Sequence, residues 1–315
     1  MKKIKIGIVG YGGLGHAVEQ EAKNRGDVKL ITIFSRREVE SPFGTAVLKP
    51  EKISEFKNKI DVLILCGGSQ NDMLSDAPRY LKEFNIINTF DTHKLVPREY
   101  EKLNKIAVAN EKTGLICAGW DPGLFSVLRA LLAPISDDTP ACFYGKGISL
   151  GHSQAVKRIN CVKDAISFTF PDKNALKNAK SGVKGVKSAS IRKVFVVADE
   201  NYDAITDQIL NMPNYFKGEK TEVTFVSEKE LARLKTAAHC GEIVSVKKEA
   251  GYKHFFNFKL KTTSNARLTA KIVLAYAAVF DRLEKRFGNR VITPLHIPPI
   301  MLLRKPELQA IKEFV

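Results

Sequence analysis

A glycine-rich turn near the start of the chain constrains the fold more than any other feature. Residues 3–9 read KIKIGIV, which is typical of a buried strand, and GYGGLG follows directly, before a segment with helical patterning at residues 14–24. Gly10, Gly12 and Gly15 thus form G-x-G-x-x-G between a strand and a helix. There the glycines permit a tight turn, close approach of the backbone to a pyrophosphate, and close packing of helix on strand. The motif predicts a dinucleotide-binding βαβ unit.

The end of the second predicted strand, VKLITIFS at residues 28–35, indicates which dinucleotide is bound. Ser35, Arg36 and Arg37 stand where an NAD site would place an acidic side chain for the ribose 2′-hydroxyl. A serine hydroxyl and guanidinium groups instead suit a 2′-phosphate, which arginine can bind with paired hydrogen bonds. We therefore expect NADP(H) as the cofactor. The alternative is that both arginines are surface residues at a strand end.

The first 119 residues alternate short apolar strands with helices, which predicts an α/β fold with a Rossmann-type doubly wound parallel sheet. CGGS at residues 66–69 follows the third clear strand, at the carboxyl edge where such a sheet binds its ligand. The predicted cofactor-binding residues are Gly10, Tyr11, Gly12, Gly13, Leu14, Gly15, Ser35, Arg36, Arg37, Cys66, Gly67, Gly68 and Ser69.

Longer strands with period-two alternation follow residue 120, and they predict an α+β domain with a mostly antiparallel sheet. We therefore divide the chain into a Rossmann domain at 1–119 and a second domain at 120–294. The proline-punctuated tail, residues 295–315, is expected to pack back on the first domain. Residues 268–287 read as one long amphipathic helix.

Composition narrows the class of protein. The net charge of +16 favours anionic partners, but the lysines are scattered, and no nucleic-acid motif or interleaved aromatic platform is present. The five cysteines are odd in number and lack CxxC spacing, which argues against disulfides or a zinc site and fits a reducing cytoplasm. No apolar run approaches the roughly 20 residues of a membrane span. We expect a cytoplasmic enzyme without nucleic-acid or membrane partners and without a metal.

Two further segments, TFDTH at 89–93 and AGWDPG at 118–123, fall at predicted strand ends on the cofactor side. They place Asp91, Trp120 and Asp121 near the nicotinamide. Each aspartate has another interpretation: Asp91 as a turn residue, and Asp121 as a helix N-cap ahead of Pro122.

The ordered set VGYGGLG, IFSRR, CGGS, FDTH, GWDPG and GKGISLGHS closely resembles meso-diaminopimelate dehydrogenase over most of the chain. The resemblance implies an NADP-dependent homodimer whose second domain binds substrate and forms the dimer. It implies oxidative deamination of the D-centre of meso-2,6-diaminopimelate to L-2-amino-6-oxopimelate, ammonium and NADPH. The reverse reaction supplies diaminopimelate for lysine and peptidoglycan synthesis.

The resemblance also implies roles for individual residues. Asp91 and Asp121 would position the reacting amine and accept its proton, since the amine must be neutral to release hydride. The substrate-binding set would be Trp120, Tyr144, backbone amides near Leu150 and Gly151, and, for the far L-end, Thr169, Arg192, His239 and Asn265. Taken alone, Thr169 reads as a strand residue, His239 as a loop residue and Asn265 as a helix N-cap.

Five positions depart from the family pattern. Tyr144 and Leu150 stand where tryptophan and glutamine are expected, Gly13 and Gly67 replace larger residues, and Cys240 follows His239 in place of glycine. These departures leave the substrate range open, including analogues such as meso-lanthionine.

Two other functions remain open at this point. One is another NADP-dependent oxidoreductase of similar architecture, acting on a cyclic imine or an aspartate-derived aldehyde. The other is a non-catalytic NADPH sensor or a nucleic-acid binder.

Overall fold

The computed structural model describes residues 3–69, 72–136, 138–234 and 238–315. The chain forms two compact units. The first takes the residues up to Leu128 together with Ala266–Val315, and the second is Arg129–Asn265.

The first unit is built on a parallel sheet. Its strands are β1 Ile4–Val9, β2 Val28–Phe34, β3 Val47–Leu48, β4 Val62–Leu65, β5 Ile86–Asn88, β6 Gly114–Leu115 and β14 Val291–Ile292. Within the described residues these seven strands pair in the order β14-β6-β5-β4-β1-β2-β3, and every pairing is parallel. The strand order reverses between β1 and β4, and in doubly wound sheets such a point opens a crevice at the carboxyl ends of the strands.

Helices cover both faces of this sheet. The helices of this unit are α1 Gly13–Lys23, α2 Asp72–Tyr80, α3 Val96–Ala109, α9 Asn265–Ala277, α10 Phe280–Phe287 and α11 Glu307–Phe314, and α4 Leu124–Ser136 begins in it. One apolar core packs α1 and α9 against Ile6 and Ile8, and the other packs α2 and α3 against Leu63 and Leu65. Strands buried on both faces explain why their sequences are continuous apolar runs.

The division of the chain differs from the predicted one at both ends of the second unit. Residues 120–128 and 266–294 belong to the first unit, because α4 begins there and α9 and α10 pack into its core. The single helix predicted at 268–287 is wrong. It breaks at Ala278–Val279, where the Val279 amide bonds to the carbonyl of Tyr276, three residues back, at 3.2 Å. Both residues at the break are fully buried, so tertiary packing sets the break.

The second unit contains two sheets. Its strands are β7 Ala141–Tyr144, β8 Gly147–Ile148, β9 Val162–Pro171, β10 Ser190–Ala198, β11 Lys220–Phe225, β12 His239–Glu249 and β13 Tyr252–Thr262. They pair as β11-β10-β9-β8 and β13-β12-β7, antiparallel throughout the described residues except for β10 with β11. The helices are α5 Leu150–Val156, α6 Lys173–Ser181, α7 Tyr202–Leu210 and α8 Glu228–Leu234. The predicted fold class is confirmed, with two sheets where the sequence predicted one.

Among all helices in the described ranges, none has both the length and the apolar character to span a bilayer.

Candidate active site

The glycine turn after β1 opens the N-terminus of α1. Gly10 adopts a φ of +90°, which an L side chain rarely adopts, and a Cβ on Gly15 would overlap the carbonyl oxygen of Gly10. Gly12 and Gly13 face open space: no described atom lies within 4 Å of where a Cβ would stand on either. The turn thus leaves the first amides of α1 accessible to an anion, as a pyrophosphate site requires.

Tyr11 contributes to this site through its backbone. Its side chain is buried in the core, where the hydroxyl donates to Glu19, and burial with that hydrogen bond raises the pKa of Tyr11 to about 12. Its carbonyl oxygen accepts a hydrogen bond from Nη2 of Arg37 at 2.6 Å. Leu14, also predicted here, packs half-buried against the same core. Tyr11 therefore fixes Arg37, while its ring faces the protein interior.

Ser35, Arg36 and Arg37 lie at the carboxyl end of β2 as predicted from the sequence. The Ser35 hydroxyl accepts the amide of Arg37 at 3.2 Å. An open cleft of about 360 Å³ begins at these residues and is lined by Ser35, Arg37, Glu38, Val39, Glu40, Val47, Leu48 and Lys49. Lys49 donates to the carbonyl of Arg36 at 3.1 Å, so a third cation stands beside the two arginines. No sequence signal pointed to Lys49, which follows an irregular loop.

The CGGS segment closes against the start of α2. A Cβ on Gly67 would come 2.5 Å from the Cβ of Asp72, and the Gly68 amide donates to Oδ2 of Asp72 at 2.9 Å. Arg36 pairs with the same carboxylate at 2.5 Å. Burial alone would raise the pKa of Asp72, but the hydrogen bonds from Gly68 and Arg36 outweigh it and lower the pKa. Asp72 explains why position 67 is glycine here. Sequence reasoning missed it, although an aspartate opening a helix after a glycine turn was a usable signal.

The two candidate catalytic carboxylates follow neighbouring strands, Asp91 after β5 and Asp121 after β6. Ser69 accepts the amide of Asp91 at 3.2 Å, which ties this loop to the CGGS segment. Asp91 is exposed, whereas the side chain of Asp121 is only 1% exposed and lies 3.7 Å from Nε2 of His93. Burial, and next the charges of Asp91 and Asp121, raise the pKa of Cys117 to about 12. The amide of His93 donates to the carbonyl of Asp91 at 2.9 Å, so the loop that carries Asp91 also contacts Asp121 through the His93 ring.

The Trp-Asp-Pro-Gly segment is a tight loop ahead of α4. The Asp121–Pro122 peptide bond is cis, and the indole of Trp120 meets the ring of Phe125 edge-on at 5.1 Å. The helix begins at Leu124, three residues after Asp121. The alternative interpretation of Asp121 as the N-cap is therefore wrong.

In the second unit, Thr169 and Arg192 lie directly opposite each other on β9 and β10. Nη1 of Arg192 donates to the Thr169 hydroxyl, and Nε donates to Oε2 of Glu219 at 2.6 Å. The arginine side chain is 16% exposed, so the guanidinium is largely buried and held from two sides. Glu219 was not predicted, since only the parallel pairing of β10 with β11 brings it close.

His239 lies beside β8, the strand that pairs with β9 at Thr169. A Cβ on Gly147, which pairs with Thr169, would lie 2.9 Å from the His239 ring, and Nε2 of His239 donates to the carbonyl of Ile148 at 2.9 Å. In the sheet His239 lies opposite Thr262, and Asn265 opens α9 three residues later.

The remaining predicted residues of this unit lie on β7 and α5. Tyr144 ends β7 opposite Gly241, and Gly151 is exposed in the first turn of α5. The side chain of Leu150 lies outside the described part of the chain.

The hydrogen bonds of His152 in the Gly-His-Ser motif select one tautomer of its neutral ring. Tyr215 offers Nε2 a carbonyl oxygen at 2.9 Å, which can only accept, so Nε2 carries the proton and Nδ1 accepts from the Ser149 hydroxyl at 2.8 Å. Burial, and next the charge of Arg192, lower the pKa of His152 to about 4. This neutral imidazole ties the start of α5 to the segment that carries Glu219.

Comparison with known proteins identifies the family. The family described as the diaminopimelic acid dehydrogenase C-terminal domain matches residues 119–264. The meso-diaminopimelate D-dehydrogenase of Ureibacillus thermosphaericus is 37% identical in an alignment of 311 positions that covers 95% of each chain. This chain belongs to the meso-diaminopimelate D-dehydrogenase family. The resemblance drawn from the ordered motifs is thereby confirmed.

Solved structures agree with this family over the whole chain. The diaminopimelate dehydrogenase of Corynebacterium glutamicum, solved in complex with DAP, is 31% identical, covers 100% of both chains and gives a TM-score of 0.93. An engineered D-amino acid dehydrogenase bound to NADP+ is 30% identical over 100% of both chains, with a TM-score of 0.91. Both proteins share the fold described above.

Proposed function

We propose that this member of the meso-diaminopimelate D-dehydrogenase family oxidatively deaminates the D-centre of meso-2,6-diaminopimelate, using NADP and releasing L-2-amino-6-oxopimelate, ammonium and NADPH. The observation that carries the proposal is that the loop of Asp91 contacts Asp121 through His93, at the carboxyl edge of the sheet that holds the glycine turn. Two carboxylates suit an amine substrate, and the relatives named as diaminopimelate dehydrogenases cover 95% and 100% of the chain.

The residues around the glycine turn fit NADP. The open N-terminus of α1 suits the pyrophosphate, and Ser35, Arg36 and Arg37 offer a hydroxyl and two guanidinium groups for the 2′-phosphate. The solved relative that is bound to NADP+ supports the same assignment. When bound, the cofactor supplies the hydride acceptor for the substrate carbon.

The carboxylates would prepare the amine. Asp91 and Asp121 attract the ammonium form of the substrate amine, and this attraction raises the pKa of the amine. One of the two carboxylates must therefore accept the proton of the ammonium group before hydride can leave the carbon. Asp121 is the buried partner, and His93, 54% exposed and 3.7 Å away, offers the proton a path toward solvent. The iminium carbon that remains is then hydrolysed by water.

The second unit would recognise the far L-end of the substrate. Arg192, held by Thr169, is the natural partner of the L-carboxylate, with His239 and Asn265 as further ligands and with Trp120, Tyr144 and the backbone at Leu150 and Gly151 at the reacting end. The homodimer and the cytoplasmic location stay predictions.

The decisive experiment is the initial rate of NADPH formation with meso-diaminopimelate, comparing NADP with NAD. We expect turnover with the meso isomer and NADP, little turnover with NAD and none with the LL isomer. Meso-lanthionine tests the substrate range that the departures leave open. An inert meso isomer with tight NADPH binding would refute the substrate assignment and leave the cofactor assignment standing.

A further inference from the structure

Glu219 is the one acidic side chain that pairs with Arg192 among the described residues. Its Oε2 accepts from Nε of Arg192 at 2.6 Å, and the glutamate side chain remains 41% exposed beside the largely buried guanidinium. None of the substrate ligands implied by the family pattern is anionic at this end. A carboxylate beside the residue that should bind the substrate's carboxylate therefore needs an explanation.

Each partner of this ion pair keeps a hydrogen-bonding atom that bonds to no described residue. Nε and Nη1 of Arg192 are taken by Glu219 and Thr169, whereas Nη2 donates to no described residue. On the glutamate, Oε2 is taken, and Oε1 accepts from no described residue. A cationic donor and an anionic acceptor thus belong to one ion pair, each with capacity for a ligand.

The far end of meso-2,6-diaminopimelate carries the complementary pair of groups. Its L-carbon bears a carboxylate and an ammonium group, and a site with a cation alone would leave the ammonium without a charged partner. Resting on the proposed function, we propose that Glu219 binds the ammonium group of the L-end while Arg192 binds its carboxylate. Glu219 then selects for an amino acid at the distal end in preference to a bare carboxylic acid.

The backbone around Glu219 is built to hold this position. Its amide donates to the carbonyl of Phe216 at 2.9 Å, and the ring of Phe216 is fully buried. Tyr215, the residue before Phe216, accepts a hydrogen bond from His152. Glu219 therefore stands on an anchored segment directly before β11.

The same two strands provide a comparison. Lys193 and Glu222, the next charged pair along β10 and β11, also meet at 2.6 Å, but their side chains are 40% and 50% exposed. Exposed pairs of this kind contribute little to stability. Glu222 is therefore the matched control for a glutamate that only joins the strands.

The test is calorimetric titration of the holoenzyme saturated with NADPH, in which the substrate cannot be oxidised. Two ligands are compared: meso-2,6-diaminopimelate, and D-2-aminopimelate, which has the distal carboxylate without the ammonium. We expect Glu219→Gln to weaken binding of the meso compound about 10-fold or more, and to leave D-2-aminopimelate unchanged or tighter. Glu222→Gln should change neither.

Three results would overturn the inference. Equal weakening of the binding of both ligands would mean that Glu219 only positions Arg192. Unchanged binding of both ligands would mean that Glu219 and Arg192 form only a surface ion pair. Failure of the wild type to bind the meso compound would mean that the proposed ligand does not bind this site. Turnover with NADP, measured in parallel, tests the proposed function separately. Glu219-dependent binding without oxidation would refute the reaction and keep the ammonium site.

Discussion

Oδ1 of Asn88 accepts the backbone N–H of Cys117 at 3.3 Å. The same oxygen accepts the amide of Phe90 at 3.1 Å, and the side chain is fully buried. Asn88 ends β5 and Cys117 follows β6, so one amide group joins the two strand ends that lead to Asp91 and Asp121. We expect this link to help position the two loops that carry the carboxylates.

We expect Asn88→Ala to reduce both stability and turnover. Two buried N–H groups would lose their acceptor, which costs about 1–3 kcal/mol each when no other partner replaces it. Urea unfolding and kcat/KM for meso-diaminopimelate measure the two effects. Asn110→Ala, which removes a side-chain hydrogen bond at the end of α3, is the control. A kcat/KM for Asn88→Ala that falls no further than that of the control would contradict a positioning role.

Alanine substitutions at Gly67 and at Gly13 should differ in their effects on Tm and on the KM for NADP. The new Cβ at position 67 would press on the Cβ of Asp72 and displace the start of α2, whereas no described atom opposes it at position 13. Gly67→Ala should therefore raise the KM for NADP and lower Tm. Gly13→Ala should be neutral, or stabilise by about 0.4–1 kcal/mol through the unfolded state. If both variants behave alike in thermal unfolding and NADP kinetics, the Asp72 contact does not explain Gly67.

Arg37 should determine the preference for NADP over NAD. Its guanidinium is held by the carbonyl of Tyr11, so its charge is preorganised at the end of β2. Arg37→Ala should lower the NADP-to-NAD ratio of kcat/KM by about 10-fold or more, as expected for loss of a charge-assisted hydrogen bond. Arg25→Ala, which breaks a pair with Asp27 past the other end of α1, should leave the ratio unchanged. An unaltered ratio in Arg37→Ala would shift the role to Arg36 and Lys49.

The stability of the protein should fall below neutral pH because of His152. Its pKa is lowered from 6.5 to about 4 in the folded state, so the unfolded chain binds a proton first as pH falls. The stabilisation is complete above pH 6.5 and is lost between about pH 6.5 and pH 4, by a few kcal/mol at most. Urea unfolding of His152→Gln between pH 7 and 5 should show a shallower loss than wild type. His254→Gln, on exposed β13, should retain the wild-type slope.

The rate of deamination should rise from neutral toward alkaline pH. The substrate amine must lose its proton, and the carboxylates of Asp91 and Asp121 hold the charged form. Asp121→Asn should lower kcat by about 10²-fold or more, in the range of a lost proton acceptor. The control is Asp281→Asn, an exposed aspartate on α10. A flat pH–rate profile for wild type would count against the assignment of these two carboxylates.

Local sequence was sufficient to predict the position of a cofactor motif wherever one short segment contains the whole motif. The glycine turn, the Ser-Arg-Arg end of β2 and the Cys-Gly-Gly-Ser end of β4 lie where the motifs predicted, because a strand, a turn and a helix start are adjacent in the chain. The helix break at Ala278–Val279 shows the opposite case. No glycine or proline marks it, and only the packing of α9 and α10 on the first sheet sets it.

The sequence by itself determined the fold class, the family and the residue types that face a dinucleotide and an amine. Tertiary structure alone decided which side chains fix those residues: Asp72 for Arg36, Asn88 for the two carboxylate loops and Glu219 for Arg192. These partners are 27 to 36 residues apart along the chain, as with Arg192 and Glu219 or Arg36 and Asp72. No local pattern encodes such a pairing, because its energy depends on strand register and on burial, which exist only once the sheets have formed.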